Sequence, residues 1–145
     1  MKKILITLIF PVFILTGCLN TLSVAIVEDM YTEALLEEDA QVAAYFSEEY
    51  LTENPIEPLA DELAGHVRNA GGVKLLNAVE VTRNRLNPAI ASELDETYSD
   101  EWYYIVNNAD ENSVMTWIVL KKSSQYEIVD GEELTTDDYN ENVLN

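Results

Sequence analysis

The sequence predicts an α+β fold, in which N-terminal helices pack on an antiparallel sheet. Apolar residues recur at helical spacing up to the glycine pair Gly71-Gly72, and alternation with a period of two follows. Further along, three segments rich in aromatic and β-branched residues are separated by short polar turns. Helices that precede strands, rather than alternating with them, are typical of α+β domains with segregated layers.

The first helix is predicted over residues 23–38, because Ser23 is a good N-cap and acidic residues cover one side of the segment. Its buried face is predicted from apolar residues at helical spacing: Val27, Tyr31, Ala34 and Leu35. Asp39 then suits the N-cap of a shorter helix, whose inward face includes Phe46.

Residues 47–58 are predicted to be a break, since Asn54-Pro55 and Glu57-Pro58 each disfavour helix in the residue before proline. Pro58 suits the first turn of a third helix. Gly71-Gly72 is expected to end this helix, because glycine readily adopts the conformation of a C-terminal cap. The apolar stripe of the helix consists of Leu59, Leu63 and Val67.

Beyond the glycine pair, residues 73–85 alternate in polarity and predict a strand. Ile90, Leu94 and Tyr98 are four residues apart and predict a short helix. Further strands are predicted over residues 102–107, 114–121 and 125–129, joined as two consecutive hairpins of a meander. From Gly131 onward the chain has acidic and no basic residues, which predicts a solvated, partly disordered tail.

The N-terminal segment has the layout of a secretory signal. Lys2 and Lys3 precede an apolar run at residues 4–15, and small residues follow it. As a helix this run would extend only ~18 Å, against a hydrocarbon core of ~30 Å, and Pro11 lies within it. We therefore expect a cleaved signal rather than a transmembrane helix.

The apolar run ends in Leu15-Thr16-Gly17-Cys18, which resembles the lipobox of bacterial lipoproteins. The resemblance implies cleavage between Gly17 and Cys18 and a diacylglyceryl group on the Cys18 sulfur. Two or more acyl chains hold a protein stably at a membrane. The expected location is thus the cell membrane, with the protein lipid-anchored and facing outside the cytoplasm. The alternative is an ordinary cleaved signal followed by a chance cysteine.

Four segments are expected: a signal peptide at residues 1–17, the lipidated cysteine and a short tether at 18–22, an α+β domain at 23–130 and an acidic tail at 131–145. The whole chain has 8 basic and 27 acidic residues. Since residues 1–17 contain two lysines and no acidic residue, the chain from Cys18 onward has a net charge of −21. Such a domain would repel nucleic acids and anionic lipid surfaces. The charge fits either plain solubility or recognition of a cationic partner or metal ion.

A second resemblance, to a known fold, rests on four segments of the chain: residues 27–35, 37–39, 63–76 and 125–130. Over residues 24–130 the order of elements is similar to the nuclear transport factor 2-like (cystatin-like) fold, a cone of helices closed against a curved sheet. More narrowly, the chain resembles small bacterial lipoproteins of unknown function with that fold. The resemblance implies a pocket between helices and sheet, in which some relatives use a carboxylate to transfer a proton.

The candidate residues for a pocket or partner surface are His66, Trp102, Tyr104, Trp117 and Tyr126. His66, the sole histidine, is expected at the edge of the apolar stripe of the third helix. It is either a general base or a half-buried residue whose hydrogen bonds are simply satisfied. Alternation along the strands places aromatic residues on both faces of the sheet. We expect one face to pack under the helices. The other is either a surface for a partner or second subunit, or is covered within the monomer.

No catalytic residue, cofactor or metal site is predicted. The acidic runs at residues 108–112 and 138–142 lack the glycine that a calcium-binding loop has at its sixth position. One histidine and one cysteine offer few ligands for a transition metal.

These features favour a non-enzymatic binding or interaction module that is held at the membrane by the lipid on Cys18. The alternative is a small pocket enzyme of the isomerase or dehydratase kind, with His66 or a carboxylate in a closed cavity. A third hypothesis is a regulatory lipoprotein that holds another envelope protein, and a homodimer is also open. Nucleic acid is not an expected partner.

Overall fold

The computed structural model describes residues 21–145, in which helices are followed by a four-stranded antiparallel sheet. The predicted α+β class is therefore confirmed. The predicted signal peptide at residues 1–17 and the cysteine that follows it lie outside the described residues.

The helices, in chain order, are α1 (Leu22–Leu35), α2 (Asp39–Ala43), α3 (Glu48–Glu53), α4 (Ile56–Ala70), α5 (Pro88–Thr97) and α6 (Thr136–Asp138). The strands, which pair antiparallel in this order, are β1 (Val79–Val81), β2 (Glu101–Asn108), β3 (Ser113–Lys122) and β4 (Gln125–Thr135). Two 3₁₀ turns flank β1, and a π-helical turn follows α6: Val73–Leu76, Arg83–Arg85 and Tyr139–Val143.

The two long helices, α1 and α4, form where the apolar spacing predicts helices. Val27 and Tyr31 of α1 are fully buried, but Leu35 at the end of α1 is exposed, although it was expected on the inward face. α4 ends at Gly71 as predicted, and the φ angle of Gly71, 88°, lies in the left-handed region that glycine adopts without strain. The backbone N–H groups of Gly71 and Gly72 both donate to the carbonyl oxygen of Val67, at 3.0 Å.

The predicted break at residues 47–58 is wrong in part, because it contains α3. The Ser47 hydroxyl oxygen accepts the backbone N–H of Tyr50 at 3.1 Å, which caps the start of this helix. The proline signal is correct at the other end, where α3 stops before Asn54-Pro55. α4 then begins at Ile56, two residues before Pro58.

The predicted strand at residues 73–85 is largely wrong, because only Val79–Val81 is extended and paired. Asn77 has a φ angle of 54°, which interrupts an extended backbone. Before it, the apolar residues belong to a 3₁₀ turn, in which Leu76 is buried and Leu75 is exposed. The apparent alternation thus comes from a 3₁₀ turn that buries Leu76 and leaves Leu75 exposed.

The short helix predicted around Ile90 and Leu94 is confirmed as α5. The Asn87 side-chain oxygen accepts the backbone N–H of Ala89 at 3.0 Å, and Pro88 occupies the first turn.

The last strand, β4, is longer than predicted and contains a β-bulge. Val119 of β3 pairs with Ile128, whereas the preceding Ile118 pairs with Asp130, so that Val129 is the extra residue on β4. A bulge bends a strand and re-aims its side chains. Residues after the bulge therefore continue along β3 in a new register.

The outer edge of β4 is partly covered by the loop between α2 and α3. The backbone N–H of Ser47 donates to the Ile128 carbonyl oxygen at 2.9 Å, and the Ile128 N–H donates to the Tyr45 carbonyl oxygen at 2.8 Å. These bonds fix α3 beside the bulge and pair part of an otherwise open sheet edge.

The predicted solvated tail at residues 131–145 is wrong, because the segment completes β4 and then folds back over the sheet. Tyr139 and Val143 are buried, and the backbone N–H of Asn87 donates to the Val143 carbonyl oxygen at 2.8 Å. The two buried residues are four apart, so one helical face points inward while the acidic residues remain outside. Because all the charged residues in this segment are acidic, its composition predicted a solvated tail and did not indicate the apolar face formed by Tyr139 and Val143.

Each face of the sheet has its own core. On one face, buried residues of α1 and α4 pack against the sheet residues Ile105, Met115, Trp117, Val119 and Ile128. On the other face, α5 and residues 136–144 cover a second set, Tyr104, Val106, Val114, Ile118 and Leu120. Of the two alternatives for the second face, coverage within the monomer is therefore the one observed.

Replacing Gly131 with alanine should destabilise the fold. Gly131 pairs with Trp117, and a Cβ atom at residue 131 would lie under 3.0 Å from the buried indole ring. Forcing an atom into a packed core costs about 1–3 kcal/mol. We expect a fall of this size in the free energy of unfolding, measured by urea denaturation.

Gly65, inside α4, provides the control for this substitution. Nothing lies within 4 Å of the position of its Cβ atom, so Gly65→Ala should stabilise the helix by about 0.5–1 kcal/mol. Equal stability of the Gly131→Ala variant and the wild type would contradict the packing described here.

Candidate functional site

Trp117 is completely buried in the core between the helices and the sheet. Its indole Nε1–H donates to the Asn107 side-chain oxygen at 2.9 Å. The Asn107 amide in turn donates to the Tyr31 hydroxyl at 3.0 Å. The ring packs edge-on against Tyr31 and Phe46, at centroid distances of 6.3 and 5.9 Å. Trp117 therefore has a structural role and offers no surface to a partner.

Tyr104 and Trp102 belong to the second face of the sheet. Tyr104 is buried, and burial raises the pKa of its hydroxyl to about 12. Trp102 is half-buried, and its indole N–H donates to the Asp95 carboxylate at 3.1 Å. The Arg83 guanidinium, which pairs with Asp95, lies 5.3 Å from the Trp102 ring centroid. α5 is thereby attached to the end of β2.

Tyr126 lies at the far end of the first face, half-buried, with its ring centroid 6.1 Å from that of Tyr103. The predicted aromatic residues are thus distributed over two cores and their rims. They do not form one site, and the second face of the sheet, one alternative for a partner surface, is covered by α5 and the C-terminal residues.

His66, by contrast, meets two carboxylates. It lies half-buried on α4, one turn after Glu62, and Glu133 approaches from β4. One potential ligand atom from each residue lies within 4.8 Å of the other two. The His66 Nδ1 atom is buried and has no hydrogen-bond partner within the described residues.

The structure also shows a groove that the sequence did not predict. It has a volume of about 670 Å³ and lies between α3, the segment after α5, and the bulged part of β4. We call it the acidic groove, after the four carboxylates that line it together with the rings of Tyr50 and Tyr98: Glu49, Glu53, Asp100 and Asp130. Among residues 21–145, these four carboxylates take part in no ion pair.

The negative charges of the acidic groove contribute to raising the pKa values of its two tyrosines. Burial raises the pKa of Tyr50 to about 12, and the negative charge of Asp130 adds to the shift. Burial also raises the pKa of Tyr98, with contributions from Asp130 and Glu49. Lys122, the cation at the groove, is paired with Glu127 at 2.5 Å. The groove thus presents a net negative charge beside the half-buried ring of Tyr98, which suits a cationic ligand, whereas the Tyr50 ring is buried and stacked on Phe46.

Sequence reasoning missed this groove because its walls come from segments about 50 and 80 residues apart. The predicted loop at residues 47–58 hid α3, and the predicted end of the last strand at residue 129 removed Asp130 and Gly131 from the sheet. The strongly acidic composition was the only signal, and it does not distinguish one carboxylate from another.

No protein-family model, curated protein or solved structure matches the chain. In residues 21–145, no helix is both long and apolar enough to cross a membrane. Function must therefore be inferred from the site itself.

The fold should lose stability as the pH rises above about 10. Tyr50 and Tyr104 have pKa values of about 12 in the folded protein, against 10.0 for a free tyrosine. Their protonated forms therefore favour the folded state fully below pH 10, and the unfolded chain releases protons first between pH 10 and 12. The urea midpoint, measured from pH 8 to 11, should fall above pH 10.

A Tyr50→Phe variant tests the assignment, because it removes one of the tyrosines whose pKa is raised in the folded protein. Its urea midpoint should fall less steeply with pH than that of the wild type. An identical fall in both proteins would assign the loss of stability to other groups.

Proposed function

We propose that this protein is a lipid-anchored extracytoplasmic lipoprotein that acts as a non-enzymatic binding module for a cationic ligand. The observation that carries the proposal is the acidic groove, in which four carboxylates that form no ion pair among residues 21–145 lie beside the half-buried ring of Tyr98. A ligand with amine or guanidinium groups would gain ion pairs with the carboxylates and a cation–π contact with the Tyr98 ring. Oligoamines and basic peptide segments have this chemistry.

The alternative, a pocket enzyme, would place a proton-transferring group in a closed cavity between helices and sheet. In the described structure that space is filled by large side chains, foremost Trp117, Tyr31 and Met30, which are fully buried. His66 lies at the rim of this core and not within it. These features favour binding at the surface over catalysis in the interior.

We further propose that the fold belongs to the nuclear transport factor 2-like class. Support comes from the chain order, in which helices precede the sheet, and from the packing of α1 and α4 on one of its faces. α5 and residues 136–144 would be additions that cover the second face.

Lipid anchoring rests on Leu15-Thr16-Gly17-Cys18, which resembles a lipobox. α1 starts at Leu22, so only three residues would separate it from the modified Cys18. A domain held so close to a bilayer would bind its ligand at the cell surface rather than in solution.

Replacing Cys18 with alanine should release the protein from membranes. The substitution removes the sulfur that would carry the diacylglyceryl group, and without acyl chains a domain with a net charge of −21 has little affinity for a bilayer. In a bacterial host, wild-type protein should sediment with membranes and incorporate a labelled fatty acid. The Cys18→Ala protein should do neither. Firm membrane association of that variant would overturn the anchor.

The acidic groove should bind spermine, a tetravalent amine, with an affinity that falls as salt is added. We expect at least tenfold weaker binding when Glu49→Gln and Asp100→Asn are combined, measured by isothermal titration calorimetry. Asp137→Asn with Glu141→Gln is the matched control, because it removes one Asp and one Glu charge at exposed positions outside the groove. Equal weakening in both double variants would show attraction to overall charge and contradict a groove site.

A further inference from the structure

A second site is suggested by Glu62, His66 and Glu133, none of which lines the acidic groove. Glu62 and His66 are four residues apart on α4 and therefore share one face of the helix. Glu133 lies on β4 directly opposite Met115, whose side chain belongs to the helix-side core. Its carboxylate therefore rises on the same side of the sheet as α4, toward the histidine.

The geometry of this cluster is close to that of a metal site. One nitrogen or oxygen atom from each residue lies within 4.8 Å of the other two. Zinc binds nitrogen and oxygen ligands at ~2.0–2.2 Å, so the ligand atoms of a tetrahedral site lie ~3.4 Å apart. Glu62 and Glu133 are exposed, and a change of their rotamers would be needed to bring their oxygen atoms to this spacing.

The histidine gives an independent indication. Its Nδ1 atom is shielded from solvent and has no hydrogen-bond partner within the described residues. An unsatisfied buried polar atom destabilises a folded protein, and such atoms are rare. In a metal-bound histidine one ring nitrogen binds the ion and the other carries a proton. The His66 ring lies beside two carboxylates and therefore suits metal coordination.

We propose that Glu62, His66 and Glu133 bind a divalent transition-metal ion of the zinc class. An imidazole nitrogen with two carboxylates suits Zn²⁺ better than Ca²⁺ or Mg²⁺, which prefer sites made of oxygen alone. Three protein ligands leave a fourth position for water or for a ligand of the protein. This inference does not rest on the cationic ligand proposed for the acidic groove.

The surroundings of the cluster support it. The Ser113 hydroxyl donates to one carboxylate oxygen of Glu133 at 2.6 Å, which orients the carboxylate as outer residues of metal sites do. Glu62 and Glu133 place two negative charges beside the imidazole, and their field attracts a cation.

The test is a titration of the full chain, purified in detergent and freed of metal by a chelator, with Zn²⁺ alone. We expect one ion per chain in isothermal titration calorimetry, with a dissociation constant in the micromolar range or lower. The thermal midpoint should rise with Zn²⁺ concentration, because the ion binds only the folded site. Co²⁺ in place of Zn²⁺ should give visible absorption bands typical of a low-coordinate nitrogen–oxygen site.

Substitutions locate the ion. His66→Gln, Glu62→Gln and Glu133→Gln should each weaken Zn²⁺ binding at least tenfold, and His66→Gln should also change the Co²⁺ spectrum. Glu57→Gln is the matched control, since it removes an exposed carboxylate from the same helix outside the cluster. Circular dichroism confirms that each variant is folded.

Two results would overturn the site: millimolar or weaker Zn²⁺ affinity of the folded wild type, or equal weakening by the control and cluster substitutions. The groove variant Glu49→Gln with Asp100→Asn should bind Zn²⁺ like the wild type, so failure of one proposal is distinguishable from failure of the other.

Discussion

The side chain of Asn107 connects the helices to the sheet, and the helix-side core depends on it. This side chain is 2% exposed and accepts the indole N–H of Trp117 while it donates to the Tyr31 hydroxyl and to the Asn108 carbonyl oxygen. Three polar groups thereby enter the core with their hydrogen bonds made, which avoids a cost of about 1–3 kcal/mol for each unsatisfied group. Because the bonds are directional, they also fix the rotation of α1 about its axis relative to β2 and β3.

Much of the fold can be predicted from periodicity, and the errors have identifiable causes. α1, α4 and α5 follow from helical spacing of apolar residues, although α1 is preceded by Thr21 and not capped by Ser23 as predicted. β2 and β3 follow from runs of aromatic and β-branched residues, which are buried on both faces of the sheet. At residues 73–85 a 3₁₀ turn imitates strand alternation until Asn77 reverses the backbone. In residues 131–145 the burial of Tyr139 and Val143 depends on a sheet face formed elsewhere in the chain, so that local composition suggests a solvated tail.

The candidate sites were less accessible to sequence reasoning than the fold. Glu133 meets His66 only because β4 continues past a bulge, and Gly131 in between lacks a side chain where the Trp117 ring lies. The approach of Glu133 to His66 and the packing of Gly131 on Trp117 both depend on the strand register. The register cannot be derived from the sequence unless the position of the bulge is known. The single histidine was identified as a candidate, but its partners are 4 and 67 residues away along the chain. Only the first of these separations is a recognisable helical spacing.

The attachment of α1 to β1 sets the direction in which the domain would face. The Ser23 hydroxyl, in the first turn of α1, donates to the Glu80 carboxylate of β1 at 2.8 Å. Under the proposed anchoring, a tether of about 10 Å would hold this corner near the headgroups. β4 is three strands away, about 14 Å further across the sheet. The lipid would then orient the domain, with the β1 edge of the sheet nearer the bilayer than the β4 edge, which carries Asp130 and Glu133.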